Sequence, residues 1–342
     1  MASSKEVTIY DIAKALNLSA STVSRGLRGH SSIRKDTRKR IHDAAMAMGY
    51  QKNAFARNLR KNRSNTIGVI LPRLNSNFQS SVVAGIEKEA NQKSLNLIIS
   101  QSQESFEKER ANIATMFNSR VDGLLISLAY DTANLAHLSM FLDKGIPVVF
   151  YDRVMDQKDC ACTRVVIDNE QAAYEAVSHL IEQGYKRILL LAGDLRSKVY
   201  QDRYLGYKRA LAEHHIPFSP EWCLEDRLDE GSGRRTVQHM LRMKERPDGI
   251  FTANDTSAVA VISRLREQGL KVPEDVGVVG FNNVTISRIF DPALTTVHYP
   301  GEEMGEVAAS TLIDMIDRDK AIIPKTIVLQ HKLVIRKSSV RG

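Results

Sequence analysis

From residue 66 onward, short apolar runs alternate with longer amphipathic segments, and this alternation restricts the chain to a few folds. One series of runs reads TIGVILP, LNLIIS, GLLISL and IPVVFYD, and a second reads RILLLAG, DGIFTAN and VGVVGFN. Nearly continuous apolar runs are typical of parallel strands that helices bury on both faces. Strand, helix and strand in this order predict an α/β architecture with right-handed crossovers. Two series predict two doubly wound parallel α/β lobes with a cleft between them.

The end of the chain indicates how the two lobes are connected. The segments TTVHYP and TIVLQHKLVIRK follow the second series and are joined by a helical stretch. These segments are most easily explained as returns of the chain across the lobes. The predicted bounds are about 64–163 plus 298–328 for lobe 1, and about 164–297 plus 329–342 for lobe 2.

Positive charge is concentrated before the first of these strands. Residues 1–63 hold 14 Lys+Arg and 4 Asp+Glu, whereas the remaining residues hold 34 and 36. A small basic module joined to a near-neutral body is typical of proteins that bind the phosphate backbone of nucleic acids. The alternative is a solvated basic arm, which is disfavoured because the segment carries enough apolar residues at helical spacing for a small core.

The basic segment contains start and stop signals for three helices. Thr8 can cap the first helix, with Asp11 in the position of a capping box, and Asn17 is its natural end. Ser19 then opens a second helix, and a third is predicted from about residue 35 to 48. Two short helices joined by a turn of three to four residues predict a helix-turn-helix.

The second helix has the side chains that major-groove recognition requires. Ala20 and Ser21 are small and permit close approach to the base edges, and Arg25 can reach a guanine or a phosphate. The pattern by itself is also compatible with a helical hairpin that has only a structural role.

Longer stretches carry a family resemblance. VTIYDIAKALNLSASTVSRGL, followed by TRKRIHDAAMAMGYQKNAFARNL and TIGVILP, resembles the lactose-repressor (LacI/GalR) family of bacterial transcription regulators in residue type, order and spacing. The resemblance implies a helix-turn-helix DNA-binding domain at 1–51, a hinge helix and linker at 52–63, and a periplasmic-binding-protein-like core for effector binding and dimerisation at 64–342. It implies base contacts by Ala20, Ser21 and Arg25, and phosphate contacts by Thr8, Tyr10, Ser19, Thr22, Ser24 and Tyr50.

The segment NAFARNL resembles the hinge helix of this family, which lies in the minor groove and wedges a leucine between base steps. Leu59 matches that wedge, and Asn53, Ala56 and Arg57 are the other hinge residues expected to contact DNA. Seven or eight residues cannot hold a helix alone in water, so this one is expected to fold only against DNA and a partner hinge. The alternative is a plain basic linker. Lys52 replaces the usual proline, which makes the ordering of the hinge slightly more costly.

Polar residues follow several of the predicted strands of the core. Ligands of open α/β sheets bind beyond the carboxyl ends of strands, and these positions match the effector loops of the family. Arg203, in the family's Arg-x-x-Gly-aromatic element, is the strongest candidate; the alternative is an exposed arginine at a helix start. Asp255 is as well placed to cap a helix as to touch a ligand. The candidate effector-binding residues are Phe78, Gln79, Ser127, Asp152, Arg203, Leu228, Asn254 and Asn282.

Two departures from the family pattern concern the ligand. Asn282 stands where a carboxylate usually accepts sugar hydroxyls, and an amide also donates hydrogen bonds and has no charge. Leu228 stands where an aromatic ring often stacks on the ligand. These changes make a free hexose or a purine less secure as the effector, and they leave room for a phosphorylated ligand near Arg203.

An enzyme is the second function class that an α/β chain of this size permits. The sequence has no Gly-x-Gly-x-x-Gly, no Gly-x-x-x-x-Gly-Lys-Ser/Thr and no Gly-x-Ser-x-Gly, and neither a cofactor nor a metal site is expected. An exported binding protein would require a secretion signal, and the start of the chain lacks the continuous apolar stretch of one. No run approaches the roughly 18 to 20 apolar residues of a membrane span. Three cysteines without a paired spacing fit a reducing compartment.

The sequence therefore predicts a non-enzymatic, sequence-specific DNA-binding regulator in the cytoplasm, associated with the nucleoid. It is expected to repress carbohydrate-related genes as a homodimer on a pseudo-palindromic operator. A sugar or sugar phosphate in the interlobe cleft is expected to control its affinity for DNA.

Overall fold

The computed structural model describes residues 7–50, 63–155, 162–317 and 323–341. The chain divides into two units, Met1–Arg63 and Ser64–Gly342, each with its own hydrophobic core.

The first unit contains three helices around a small core. They are α1 (Ile9–Leu16), α2 (Ala20–Leu27) and α3 (Lys35–Ala47). The core side chains come from all three helices and include Ile12, Val23, Leu27, Ile41 and Ala45.

Local signals in the sequence set the ends of α1 and α2. The predicted capping box is present, since the Thr8 N–H donates to Asp11 Oδ2 at 2.8 Å and the Thr8 side chain accepts from the backbone of Asp11. Asn17 ends α1 in the left-handed conformation with φ of 53°. Ser19 caps α2 by accepting from the Thr22 N–H at 3.1 Å. These contacts satisfy backbone N–H groups that a helix start leaves without partners.

The second unit contains two six-stranded sheets. The strands of the first sheet are β1 (Thr66–Leu71), β2 (Asn96–Gln101), β3 (Gly123–Ile126), β4 (Val148–Tyr151), β5 (Thr163–Ile167) and β11 (Thr326–Leu329). Those of the second sheet are β6 (Ile188–Ala192), β7 (Cys223–Glu225), β8 (Gly249–Thr252), β9 (Gly277–Asn282), β10 (Thr295–His298) and β12 (Lys332–Val334). The strand orders are β11-β5-β4-β3-β1-β2 and β12-β10-β9-β8-β6-β7.

Helices accompany each sheet and define the two lobes. Lobe 1 has α4 (Asn77–Gln92), α5 (Phe106–Asn118), α6 (Ser139–Leu142) and α12 (Gly301–Asp317). Lobe 2 has α7 (Asn169–Glu182), α8 (Lys198–Glu213), α9 (Ser232–Arg242), α10 (Asp255–Glu267) and α11 (Ile286–Ile289).

The predicted doubly wound parallel lobes are confirmed, with one exception. Strand pairs are parallel throughout both sheets apart from β10 and β12, which pair antiparallel with Val297 opposite Leu333. The reason is the short connection between β11 and β12, which brings the chain into the second sheet without room for a crossover helix.

The chain passes between the lobes near 167–169, 298–301 and 329–332. The first crossing lies later than the predicted boundary at 163 and 164. Thr163–Ile167 is bonded to β4 on one side and to β11 on the other, so the whole strand belongs to lobe 1. Its apolar pattern gave no sign of which sheet it would join, because both sheets accept the same kind of buried strand.

Glycines bring the main helices of each lobe into close contact. A Cβ atom on Gly85 of α4 would lie 2.0 Å from the Glu302 carbonyl oxygen of α12. In lobe 2, a Cβ atom on Gly206 of α8 would lie 2.1 Å from the Glu170 carbonyl oxygen of α7. Only glycine permits this approach of one helix backbone to another.

Cys162 is disulfide-bonded and Cys223 is free. The bond differs from the expectation that the cysteines are reduced. Within the described ranges, no helix is both long enough and apolar enough to cross a membrane.

Candidate functional site

Two of the three predicted base-contacting residues, Ser21 and Arg25, lie on the outer face of α2. Val23 and Leu27 point into the core of the first unit, whereas Ser21 and Arg25 are exposed and Ala20 is half-buried. This division follows from the helical period, which places residues 21 and 25 away from 23 and 27, whereas residue 20 lies on the same side as 23 and 27 and packs against the core. The exposed side of α2 thus offers the small Ser21 side chain in the first turn and the Arg25 guanidinium in the last turn.

The predicted phosphate contacts surround the starts of α1 and α2. Tyr10 is 76% exposed and Thr8 is exposed, whereas Tyr50 is half-buried against the core of the unit. The Ser19 hydroxyl lies 2.8 Å from both Ser21 Oγ and Thr22 Oγ1, in addition to its capping bond. Thr22 and Ser24 are half-buried. The hinge residues Asn53, Ala56, Arg57 and Leu59 lie outside the described residues.

A cleft of about 940 Å³ separates the two lobes of the second unit. It opens at the carboxyl ends of strands from both sheets, as predicted for open α/β sheets. Seven of the eight candidate effector residues line it, namely Phe78, Gln79, Asp152, Arg203, Leu228, Asn254 and Asn282. The exception is Ser127, which is fully buried with its Oγ 3.4 Å from Asp152 Oδ2. Ser127 therefore supports the carboxylate from behind.

Asp152 forms the floor of the cleft on the lobe 1 side. Its carboxylate accepts hydrogen bonds from Gln79 Nε2 at 2.9 Å and from the Tyr299 hydroxyl at 2.9 Å, in addition to Ser127. Burial raises the pKa of Asp152, and the neighbouring Arg153 opposes this shift. A carboxylate has about four lone-pair positions, so one stays available to a donor in the cleft.

Arg203 forms the floor on the lobe 2 side. It is only 4% exposed, which excludes the alternative of an exposed arginine at a helix start. Its Nε donates to Asn169 Oδ1 at 3.0 Å and its Nη1 donates to the Ala253 carbonyl at 2.7 Å. The guanidinium carbon lies 3.5 Å from the ring centroid of Phe281. Nη2 has no hydrogen-bond partner among the described residues.

Asn254 links the start of α10 to the loop after β7. Its Oδ1 accepts from the Ser257 N–H at 2.8 Å, so Asn254, and not Asp255, caps the helix. Its Nδ2 donates to the Leu228 carbonyl at 3.0 Å. Leu228 adopts a left-handed conformation with φ of 56° and is buried. A leucine in this conformation requires such outside support.

Arg235 fastens the same loop from outside the cleft. Its Nε and Nη2 each lie 2.6 Å from the Asp226 carboxylate, and Nη2 also donates to Asp229 Oδ1 at 2.6 Å. The hydrogen bond from Arg235 is the main reason that the pKa of Asp226 falls to about 2. The loop that carries Leu228 is therefore held at both ends.

Asp255 is a second buried carboxylate beside the cleft. It accepts from the Val284 N–H at 2.8 Å and from Thr296 Oγ1 at 2.5 Å. Burial raises its pKa to about 7. Asn282 lies nearby at the end of β9 with φ of 105°, and its side chain lines the cleft.

The structure adds cleft residues that the sequence reading missed. They are the aromatic residues Tyr130, Tyr200 and Tyr299, together with Arg73, Arg153, Glu104 and several carboxylates of the loops after β6 and β7. Tyr200 lies in the first turn of α8, three residues before the predicted Arg203. Tyr299 had no local signal, since it belongs to the segment that crosses between lobes. In the described part of the chain, no group of three or more His, Cys, Asp or Glu residues is placed to hold a metal.

Comparisons with known proteins agree with both units. A family model described as bacterial regulatory proteins, lacI family, matches residues 8–53, and one described as a periplasmic binding protein-like domain matches residues 177–339. The chain is 32% identical over 332 residues to the HTH-type transcriptional repressor PurR of Actinobacillus pleuropneumoniae serotype 3 (strain JL03), covering 97% of this chain and 98% of that relative. It is 32% identical over 334 residues to catabolite control protein A of Priestia megaterium, covering 97% and 99%.

The fold is likewise similar to that of a solved regulator. The crystal structure of the lac repressor dimer bound to operator and the anti-inducer ONPF superposes with a TM-score of 0.87 at 26% sequence identity, covering 98% of this chain and 100% of the other. The family resemblance and the fold class predicted from the sequence are confirmed. The chain belongs to the lacI family of bacterial regulatory proteins and is a DNA-binding transcriptional repressor.

Proposed function

We propose that this repressor binds a pseudo-palindromic operator as a homodimer, with the start of α2 in the major groove of each half-site. The observation that supports this most directly is the exposed face of α2, where Ser21 and Arg25 stand free of the core. A single module of this size reads too few bases for specificity, and two-fold symmetry doubles the site. The lac repressor of the similar structure is itself a dimer on an operator.

The operator proposal is tested by selecting sites from random duplex DNA with the full chain and then measuring the affinity of variants. Arg25→Ala should lower specific affinity by about 1 to 3 kcal/mol and relax the preference at one base position. Arg40→Ala, which removes an exposed arginine of α3, is the matched control and should leave the base preference unchanged. Affinity should fall with salt at a log-log slope of about −0.9 per phosphate contacted. A flat salt dependence contradicts the assignment of the basic module.

The role of the hinge helix stays a prediction, and the same affinity measurements test it. Leu59→Ala should remove most of the operator bending and specific affinity while non-specific binding persists, because the leucine wedge unstacks one base step. Unchanged specific affinity in a gel-shift titration would remove the wedge role.

We propose further that the interlobe cleft binds a small-molecule effector that is a sugar or sugar phosphate. The carrying observation is the pair on the cleft floor, where Asp152 can accept from a hydroxyl and Arg203 Nη2 can donate to one. A volume of about 940 Å³ is large enough for a disaccharide and falls within the usual range of ligand pockets. An acceptor on the lobe 1 side and a donor on the lobe 2 side of the same cleft suit a ligand with several hydroxyls.

The charge of the cleft favours an uncharged sugar over a phosphorylated one. Four arginines and eight Asp or Glu residues line it. Arg196 and Arg235 lie outside the lining and pair with Asp194, Asp226 and Asp229, so eight carboxylates still face six guanidiniums, and they remain in excess with Asp255 partly protonated near neutral pH. An anionic phosphate group would meet net repulsion in this setting. The charge of the cleft therefore supports a phosphorylated ligand less well than the sequence alone did.

A thermal-shift screen of the full chain tests the effector proposal. The panel contains glucose, cellobiose and maltose, their counterpart glucose 6-phosphate, and adenine and adenosine as the purine arm. A ligand at 100 times its dissociation constant adds about 2.7 kcal/mol to the free energy of unfolding. A stabilising sugar should lose its effect in Arg203→Met and keep it in Arg187→Met, an arginine outside the cleft lining. Stabilisation by a purine alone contradicts the sugar proposal.

The effector is proposed to act through the lobes on operator affinity and thereby on carbohydrate-related genes. Couplings of this kind are typically about 1 to 3 kcal/mol. Operator titrations with and without the stabilising compound measure both the size and the sign of the coupling.

A further inference from the structure

Two arginine–tyrosine contacts bridge the lobes along the cleft, and neither was expected from the sequence. Arg196 of lobe 2 places its guanidinium carbon 4.8 Å from the ring centroid of Tyr130 in lobe 1. Arg153 of lobe 1 places its guanidinium carbon 5.8 Å from the ring centroid of Tyr200 in lobe 2. Both distances are within the range of cation–π attraction. The arrangement is reciprocal, because each lobe supplies one arginine and one tyrosine.

Each arginine is oriented by a carboxylate of its own lobe. Arg196 binds Asp194 through Nε at 2.9 Å and through Nη2 at 2.6 Å, and this hydrogen bonding lowers the pKa of Asp194. Arg153 donates from Nη1 to Glu104 Oε2 at 2.5 Å. A guanidinium held in this way keeps its planar face free for an aromatic ring.

The loop that carries Tyr130 is fixed by a fully buried carboxylate. Glu109 accepts from the Ala129 N–H at 2.6 Å and from Thr132 Oγ1 at 3.0 Å, so it binds the loop on both sides of Tyr130. His137 Nε2 lies 2.8 Å from the same carboxylate. A buried carboxylate is costly without such partners, and here its hydrogen bonds hold the loop residues that flank Tyr130.

Tyr200 is fixed by close packing against the end of β6. A Cβ atom on Gly193 would lie 2.5 Å from Cε2 of the Tyr200 ring, so only glycine leaves room for the ring in this position. Tyr200, Tyr130 and Arg153 all line the cleft, and Arg196 lies at its edge beside Asp194. A molecule in the cleft would therefore contact parts of both bridges.

We propose that the pairs Arg196–Tyr130 and Arg153–Tyr200 form a clamp that holds the two lobes together over the cleft. The clamp residues are positioning residues, and an effector enters and leaves by separating them. That second statement rests on the proposed effector function, whereas the clamp itself does not.

Hydrogen exchange of the full chain without ligand tests the clamp, read by mass spectrometry on peptides from each lobe. Arg196→Gln in lobe 2 should raise the exchange rate of residues 127–135 in lobe 1 about two- to fivefold, the factor that corresponds to one exposed cation–π contact. Tyr130→Leu should raise exchange in residues 193–200 by a similar factor, and Tyr200→Leu should do so in residues 150–155. Tyr130→Phe is the matched control, since it keeps the ring and should leave exchange in residues 193–200 unchanged.

An effect in the facing lobe is the decisive readout, because a purely local role would change exchange only around the substituted residue. Changes confined to the substituted lobe would overturn the proposal, and so would equal effects of Tyr130→Phe and Tyr130→Leu. The exchange experiment is done without ligand, so a negative effector screen does not contradict the clamp. In the same way, a negative exchange result does not contradict the effector proposal.

Discussion

The two lobes are built from the same kinds of elements, but the polar groups that they place at the cleft have different hydrogen-bond partners. Each has a six-stranded sheet, a pair of helices in contact at glycine, and a buried carboxylate beside the cleft. In lobe 1 the carboxylate of Asp152 is bonded to Tyr299, which lies on the second crossing between the lobes. In lobe 2 the cleft floor is instead Arg203, which is bonded to Asn169 at the first crossing. The groups offered to a ligand are thus bonded to residues at which the chain crosses between the lobes.

The second carboxylate makes the contrast sharper. Asp152 is solvated by three side chains from three separate segments, whereas Asp255 has one backbone N–H and one hydroxyl, both from lobe 2. The hydrogen-bond partners of Asp255 therefore all lie in lobe 2, whereas those of Asp152 include a residue of the segment that crosses between the lobes. Changes at Asp255 should alter the stability of lobe 2, and changes at Asp152 should alter ligand binding.

The largest expected effect concerns the pH dependence of folding. The pKa of Asp255 is raised by burial to about 7, from an ordinary value of 3.8. Between these values the native state retains a proton that the unfolded state has lost, so the free energy of unfolding should fall as pH rises from about 4 to 7. The contribution is on the order of 4 kcal/mol, because one pKa unit corresponds to about 1.4 kcal/mol.

Urea denaturation at a series of pH values between 4 and 8 measures this slope. Asp255→Asn removes the titrating group and should flatten the curve in that window, while the chain retains one acceptor for the Val284 N–H. An Asp255→Asn variant with the same slope as the parent would assign the pH dependence to other groups.

The glycine contacts give the next largest effect. Gly85→Ala and Gly206→Ala should each lower the free energy of unfolding by about 3 kcal/mol, since an added Cβ would meet a backbone oxygen that cannot move alone. Gly206 lies one helical turn from Arg203, so its substitution should also weaken effector binding, whereas Gly85→Ala should affect stability alone.

Urea unfolding measures the loss in both variants. Gln92→Ala, on the exposed side of α4, is the control and should change stability by less than about 0.5 kcal/mol. If both glycine variants bound the effector like the parent chain, the position of Arg203 would be independent of the helix contact.

A smaller effect is expected for ligand affinity, where substitutions of Arg203 and Asp152 on the two sides of the cleft floor should differ. Arg203→Met keeps much of the volume and removes the donors, and should weaken binding of the stabilising sugar about 10- to 100-fold, as expected for loss of a hydrogen bond from a charged group worth about 1.5 to 3 kcal/mol. Asp152→Asn should weaken it less, because the amide keeps one acceptor. Isothermal titration calorimetry measures both. A larger loss at Asp152 would place the main ligand contact in lobe 1.

Local signals and strand ends were readable from the sequence. The capping box of Thr8 and Asp11 depends on residues three apart, and the structure reproduces it. Most candidate effector residues reach the cleft because carboxyl ends of parallel strands converge whatever the exact pairing. Both inferences use contacts that are close in sequence or are imposed by the fold class.

Contacts between distant segments were not readable. Ser127 follows β3 as expected, yet it lies behind Asp152, because the direction of a side chain after a strand depends on the neighbouring strands. Tyr299 reaches Asp152 across 147 positions, and Tyr130 meets Arg196 only once both lobes are in place. The first crossing between the lobes was predicted too early for the same reason. The strand β5 belongs to lobe 1 because it pairs with β4 and β11, and β11 is far from it in the chain.

The smallest expected effect is the difference in stability lost when the N-terminal caps of α7 in lobe 2 and α4 in lobe 1 are removed. Asp168 at the first crossing caps α7 by accepting from the Gln171 N–H at 2.9 Å, whereas Ser76 caps α4 with a bond of 3.4 Å to the Gln79 N–H. The aspartate has the shorter bond and also places a negative charge at a helix N-terminus, which the helix dipole favours. Asp168→Ala should therefore cost about 1 kcal/mol of unfolding free energy, and Ser76→Ala should cost about half of that or less. Urea titrations of the two alanine variants under identical conditions measure the difference. Equal losses would mean that bond length at the cap decides little and that each helix start is held mainly by its packing.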